Sequence, residues 1–225
     1  MFRRLVPFAF ALVLIAAAPV RSPEDGARYR ECLASVRTAP AHAADLAAAW
    51  RLNGGGLPAR HCLALAFTAE GQPAAARAEL ESAARAGEVS HDPMTPALWG
   101  QAGNAALLAN DPAHARAHLT AALIAGAAAA PGERAGWHID RSRAEVALGD
   151  NVAARADLDT ALALTPGDPL VLTLSAALAL RDGNLSRARR DIAEARRIAP
   201  GDLEVAAQAA RITAVETAAP PAQSR

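Results

Sequence analysis

The sequence predicts an all-α fold, an α-solenoid of about five helix pairs and one closing helix, and three observations carry that prediction. The stretch Gly149–Asp168, GDNVAARADLDTALALTPGD, recurs at Gly183–Asp202 as GNLSRARRDIAEARRIAPGD, 34 residues on, with eight of twenty aligned positions identical. An earlier stretch, Gly71–Gly87 (GQPAAARAELESAARAG), recurs at Asn110–Gly126 (NDPAHARAHLTAALIAG), 39 residues on, and 39 also separates Asn110 from Gly149. Alanine supplies 63 of the 225 residues and aromatics only 4%, as thin, closely packed helices require. A fixed period of this length marks stacked helix–turn–helix units, none able to bury its apolar face alone.

The chain opens on a segment unlike the rest. Phe2-Arg3-Arg4 is a short cationic start and Leu5–Ala18, LVPFAFALVLIAAA, is an apolar run ending in small residues. This is the anatomy of a secretory signal, and the run is short for a membrane span. Ala16-Ala17-Ala18 fits a cleavage site, whereas Pro19 directly after it disfavours cutting there, so an uncleaved inner-membrane anchor is the alternative. Residues 1–22 are therefore read as a signal peptide or anchor.

Residues 23–56 read as a divergent first pair, Glu24–Arg37 with Ala41–Leu52, ended by Asn53-Gly54-Gly55-Gly56. Residues 57–216 read as the regular array. Its pairs are Leu57–Glu70 with Pro73–Ala86, Pro96–Ala109 with Pro112–Ala125, Arg134–Leu148 with Val152–Leu164, and Pro169–Arg181 with Leu185–Ile198. A Gly or Asn able to turn left-handed closes each first helix, and Pro73 and Pro112 open second helices, where a missing N–H costs nothing. Second helices carry small or apolar residues at i, i+4 and i+7, such as Ala154, Leu158 and Ala161. Pro166 and Pro200 stop two of them, and Asp168 and Asp202 are N-caps for the next helices. The five extra residues of the 39-residue units are placed in the connections Glu88–Thr95 and Ala127–Arg134. Leu203–Val215 is the closing helix, with Val205, Ile212 and Val215 making its outer face only moderately polar, and residues 217–225 read as a disordered tail.

Composition excludes several kinds of chemistry. Cationic and acidic residues balance at 23 each, and every cation is arginine, so there is neither a basic field for nucleic acid nor a lysine for a Schiff base or a phosphate loop. No HExxH, GxSxG or Gly-rich phosphate loop is present, and the sequence implies no enzyme and no cofactor, with a metal- or thiol-dependent enzyme as the last alternative. His114 and His118 lie i, i+4 on one helix, a spacing that can chelate, but with no third ligand in view they read as a solvated face rather than a metal site. His42, His91 and His138 read as surface or capping residues. The arginines at 187, 189, 190, 196 and 197 make a cationic helix that reads as solvated, with an acidic partner as the alternative.

The repeated blocks resemble the tetratricopeptide-repeat (TPR) family: Gly, a small residue five on, a large apolar residue, a second Ala and a closing Pro. Trp99, Ala102 and Gly103 match its first-helix pattern, and Arg141-Ser142 matches a common variant. The resemblance covers about Leu57–Val215. Glu145 stands where an aromatic is usual, Arg196 where Leu162 and Leu123 supply apolar residues, and Gly87 and Gly126 near a closing Pro.

The resemblance implies a right-handed superhelix whose first helices line a concave peptide-binding groove. In this chain the lining residues would be His61, Leu65, Asn104, Leu108, Ile139, Arg143, Thr173, Ala177 and Arg181, mainly apolar with a few donors. The implied role is a non-catalytic scaffold for a protein or peptide partner, with no nucleic acid and no metal. It would act in the periplasm, or at the inner membrane if the leader stays attached. Cys32 and Cys62 fall on first helices of adjacent units in a compartment that permits disulfides, so a Cys32–Cys62 bond is expected, with two buried thiols as the alternative.

Overall fold

The computed structural model describes residues 23–218, so the leader and most of the tail lie outside the described residues. Eleven helices run in succession among the described residues. They are α1 (Pro23–Thr38), α2 (Pro40–Leu52), α3 (Gly56–Ala69), α4 (Pro73–Ser90), α5 (Thr95–Leu108) and α6 (Pro112–Ala125), then α7 (Pro131–Leu148), α8 (Asn151–Leu164), α9 (Pro169–Arg181), α10 (Leu185–Ile198) and α11 (Leu203–Ala218). Each packs on the next, so the array is an α-solenoid with no strand among the described residues. Among them no helix is long and apolar enough to cross a membrane.

The turns form where the repeat places them. Gly71, Asn110, Gly149 and Gly183 all take left-handed backbone, with φ of 71°, 56°, 80° and 74°. Side chains then cap the next helix: Asp111 accepts from His114 N, Asp150 from Ala153 N and Asn184 from Arg187 N. Asp168 and Asp202 likewise accept from Leu170 N and Glu204 N, at 2.9 and 2.8 Å. Paired helices meet through alanine, for Ala76, Ala115, Ala154 and Ala188, five residues past each turn, are all fully buried.

Several expectations need correction. The extra residues of the 39-residue units do not all lie in connections, because α4 runs on to Ser90 and α7 begins at Pro131. Gly87 does not stop α4: it sits where a Cβ would strike Thr95 Oγ1, and the helix instead closes at His91, φ 53°. Gly126 closes α6, and it and Gly100 leave the space that the Trp137 indole of α7 fills. The closing helix is also turned differently, since Val205 and Ile212 are buried against α9 and α10, leaving Leu203 and Val215 exposed. Thr217 and Ala218 continue α11, where the sequence suggested tail.

Cys32 of α1 and Cys62 of α3 are joined by a disulfide, with Cα atoms 6.3 Å apart. Around it α1, α2 and α3 share a core of alanines with Leu63 and Phe67. A 30-residue separation closes a loop worth about 3.6 kcal/mol in the chain-entropy account, which secures the glycine-ended first pair.

Candidate functional site

The first helices of the third and fourth units, α7 and α9, leave a cleft of about 260 Å³ between them. Its apolar lining comes from Val146 of α7, Leu158 of α8 and Leu174, Ala177 and Leu178 of α9. Arg143 and Arg181, both exposed, stand at its rim. The cleft exists because α8 and α9 touch far less than the other consecutive helices of the regular units. On the far side the same joint is tied by polar contacts: Arg155 Nη2 meets Asp182 Oδ2 at 2.9 Å, and Asn151 Nδ2 donates to Asp182 Oδ1 at 2.8 Å.

Three of the nine expected groove residues, Arg143, Ala177 and Arg181, therefore share one cleft. Arg143 Nη1 lies 2.6 Å from Asp140 Oδ1, whose carboxyl burial pushes above its ordinary range despite that guanidinium and a hydrogen bond from Asn104. Asn104 and Leu108 are exposed on α5, and Leu65 is half-buried on α3. His61, Ile139 and Thr173 are buried. Burial lowers the His61 pKa, so its ring is neutral: Nε2–H donates to Gln101 Oε1 at 2.8 Å and Nδ1 accepts from the Tyr29 hydroxyl. Thr173 Oγ1 donates to Pro169 O at 2.7 Å. Asp140, Val146 and Leu174 escaped the sequence reading, although each lies three residues from Arg143 or Ala177, the spacing that shares a helix face.

Two histidines are not where the sequence put them. His118 is 5% exposed, stacked on Trp99 with ring centres 5.2 Å apart, and burial lowers its pKa. Only His114 of that pair faces solvent, where its Nδ1 meets Asp111 Oδ2 at 2.7 Å. His138 is buried too, and its Nδ1–H donates to Asp157 Oδ1 at 2.8 Å. The described residues contain no group of three or more His, Cys, Asp or Glu side chains that could hold a metal.

His138 and Asp157 belong to an ionic cluster inside the third unit. Arg141 grips Asp157 twice, Nε and Nη2 each at 2.7 Å, and its Nη1 reaches Thr120 Oγ1 at 3.2 Å. Glu145, in the place the family gives an aromatic, is buried beside them, and burial together with the Asp157 charge raises its pKa to about 7. The cationic α10 is largely neutralised: Arg187 pairs with Asp159 and Asp191, Arg189 with Glu216, and Arg197 with Glu194.

No protein-family model matches the chain, and no curated protein matches it. Solved structures match most of its length. Pseudomonas aeruginosa pilF superposes with a TM-score of 0.67 at 17% identity, over 86% of this chain and 84% of that one. The thermophilic TPR protein TTC0263 of Thermus thermophilus gives 0.57 at 21% identity, over 84% and 99%. YrrB, described as a TPR protein with an unusual peptide-binding site, gives 0.65 at 14% identity, over 81% and 90%. At these identities the likeness is one of architecture. The chain has the tetratricopeptide-repeat fold.

Proposed function

We propose that this chain is a non-catalytic protein-interaction module of the bacterial periplasm that binds a peptide segment or partner helix in its concave groove. The observation that carries the reading is the α7–α9 cleft, where an apolar floor lies between two exposed guanidiniums, Arg143 and Arg181. Such a site takes apolar side chains and orients them through a few polar contacts, as helix-in-groove recognition does. YrrB, with the same architecture, is described by its peptide-binding site. Export is supported by the leader at residues 2–18 and by the Cys32–Cys62 bond, which suits an oxidising compartment.

The test is a pull-down of tagged full-length protein from crosslinked cell envelopes, set against the Arg143→Ala/Arg181→Ala double variant. A partner held by the wild type and lost from the variant is the expected result. Equal capture by both would place binding outside the groove. A second reading keeps the fold but retains the leader as an inner-membrane anchor, and Pro19 after Ala16-Ala17-Ala18 favours it. Carbonate extraction separates them, since an anchored protein stays with the membrane and a cleaved one is released.

A further inference from the structure

The third unit buries two carboxyl groups against one guanidinium. Glu145 of α7 and Asp157 of α8 are 5% and 4% exposed, and both face the Arg141 guanidinium. Arg141 and His138 commit their short contacts to Asp157, whereas Arg141 Nε lies 3.9 Å from Glu145 Oε1. Glu145 Oε2 is buried with no hydrogen-bond partner. The fold does not need an acid here: counted from each turn, the matching places hold Phe67, Ala106 and Ala179.

We propose that Glu145 and Asp157 hold a single proton between them, and that its release to solvent loosens α7 against α8, making the third unit a pH-sensitive joint. Protonated, Glu145 donates its O–H to the Asp157 carboxylate. Deprotonated, two buried negative charges face each other, with Arg141 between them and the His138 ring N–H on Asp157 alone. The other groups acting on Glu145 are few. Asp150, at the start of α8, pushes the carboxyl in the same direction as Asp157, and Arg141 opposes both. From α6 comes the uncharged Thr120 hydroxyl, through Arg141, and α5 packs alanines against this part of α7. The joint lies behind the cleft, because α7 also carries Arg143 and Val146 and α8 carries Leu158.

The proton balance sets the sign. The unfolded chain releases the Glu145 proton near 4.5 and the folded chain holds it to about 7. Between those values the folded state binds more protons, so stability falls as pH rises and levels off above about 7. The experiment is thermal unfolding of the full-length protein from about pH 4 to about pH 9, wild type against Glu145→Gln, which keeps an uncharged donor. The expected result is a wild-type Tm that drops relative to the variant across that window and then runs parallel to it. A constant difference overturns the proposal. Should the Gln variant fail to fold, the carboxyl carbon shift of Glu145 in the wild-type protein decides. A midpoint near 7 supports the shared proton, and one near the ordinary carboxylate value refutes it.

Discussion

In the second unit Trp99 of α5 stacks on His118 of α6; 39 residues later, in the third, His138 of α7 donates to Asp157 of α8. Counted from the turn, these are the same two places, and in the first unit they hold the ion pair Arg60–Glu79, 2.9 Å apart. The residues around them differ as much. The second unit lines the contact with Ala102, Gly103 and Ala106, the third with Arg141, Ser142 and Glu145. What both keep is the close approach itself, through Ala115 and Ala122 in one and Ala154 and Ala161 in the other, all fully buried. The array therefore constrains helix spacing strictly and leaves the chemistry of the crossing pair free. An ionic interior carries a cost the apolar one lacks, since its stability depends on every charge keeping its partner.

Arg141→Met should do the most damage to the third unit. It strips Asp157 and Glu145 of their only guanidinium and should cost about 3–5 kcal/mol in urea unfolding. A loss below about 1 kcal/mol would mean the cluster is neutral already or open to water. The apolar unit should fail by crowding instead. A Cβ on Gly103 would lie 2.5 Å from Leu119 Cγ, so Gly103→Ala should cost about 1–3 kcal/mol. Ala154→Leu should cost a similar amount by the same mechanism, and an unchanged Tm would put the helix register in error.

Smaller effects sharpen the contrast. Ser142 stands at the place of Gly103, and its hydroxyl donates to Ile139 O at 2.6 Å. Ser142→Ala gives up that bond alone and should cost about 1 kcal/mol or less. A larger loss than that of Gly103→Ala would reverse the ranking. Last is a slope. Burial holds the His118 pKa below that of the unfolded chain, so the unfolded state takes up a proton first as pH falls. The second unit therefore gains stability as pH rises through the ordinary histidine range, while Glu145 makes the third unit lose it. Tm–pH curves of His118→Phe and Glu145→Gln should depart from wild type with opposite slopes.

Much of the fold was legible in the sequence because local signals mark it. The bounds of α6, α9 and α10 coincide with those read from prolines, caps and turn residues, and the two cysteines are bonded as their places in the array suggested. Gly87 misled because glycine serves two purposes, as it and Gly126 show. Here each is needed for the side chain packed against it, Thr95 or Trp137, and only Gly126 also ends its helix. Glu145 was visible as a departure from the family pattern, but its meaning depends on Asp157, which the repeat alone does not pair with it. In the groove the family resemblance brought Arg143, Ala177 and Arg181 together. It could not show that neighbouring helices close over His61, which is held between Tyr29 and Gln101.

Binding in the α7–α9 cleft puts a partner against Ala177 and not against the outer side of α8. A photo-crosslinking residue placed at Ala177, inside the cleft, tests it against the same residue at Ala156, exposed on α8. Crosslinked adducts formed in cells from position 177 and absent from position 156 are the predicted result. Adducts from position 156 with none from 177 would contradict it and move the binding surface to the opposite face of the array.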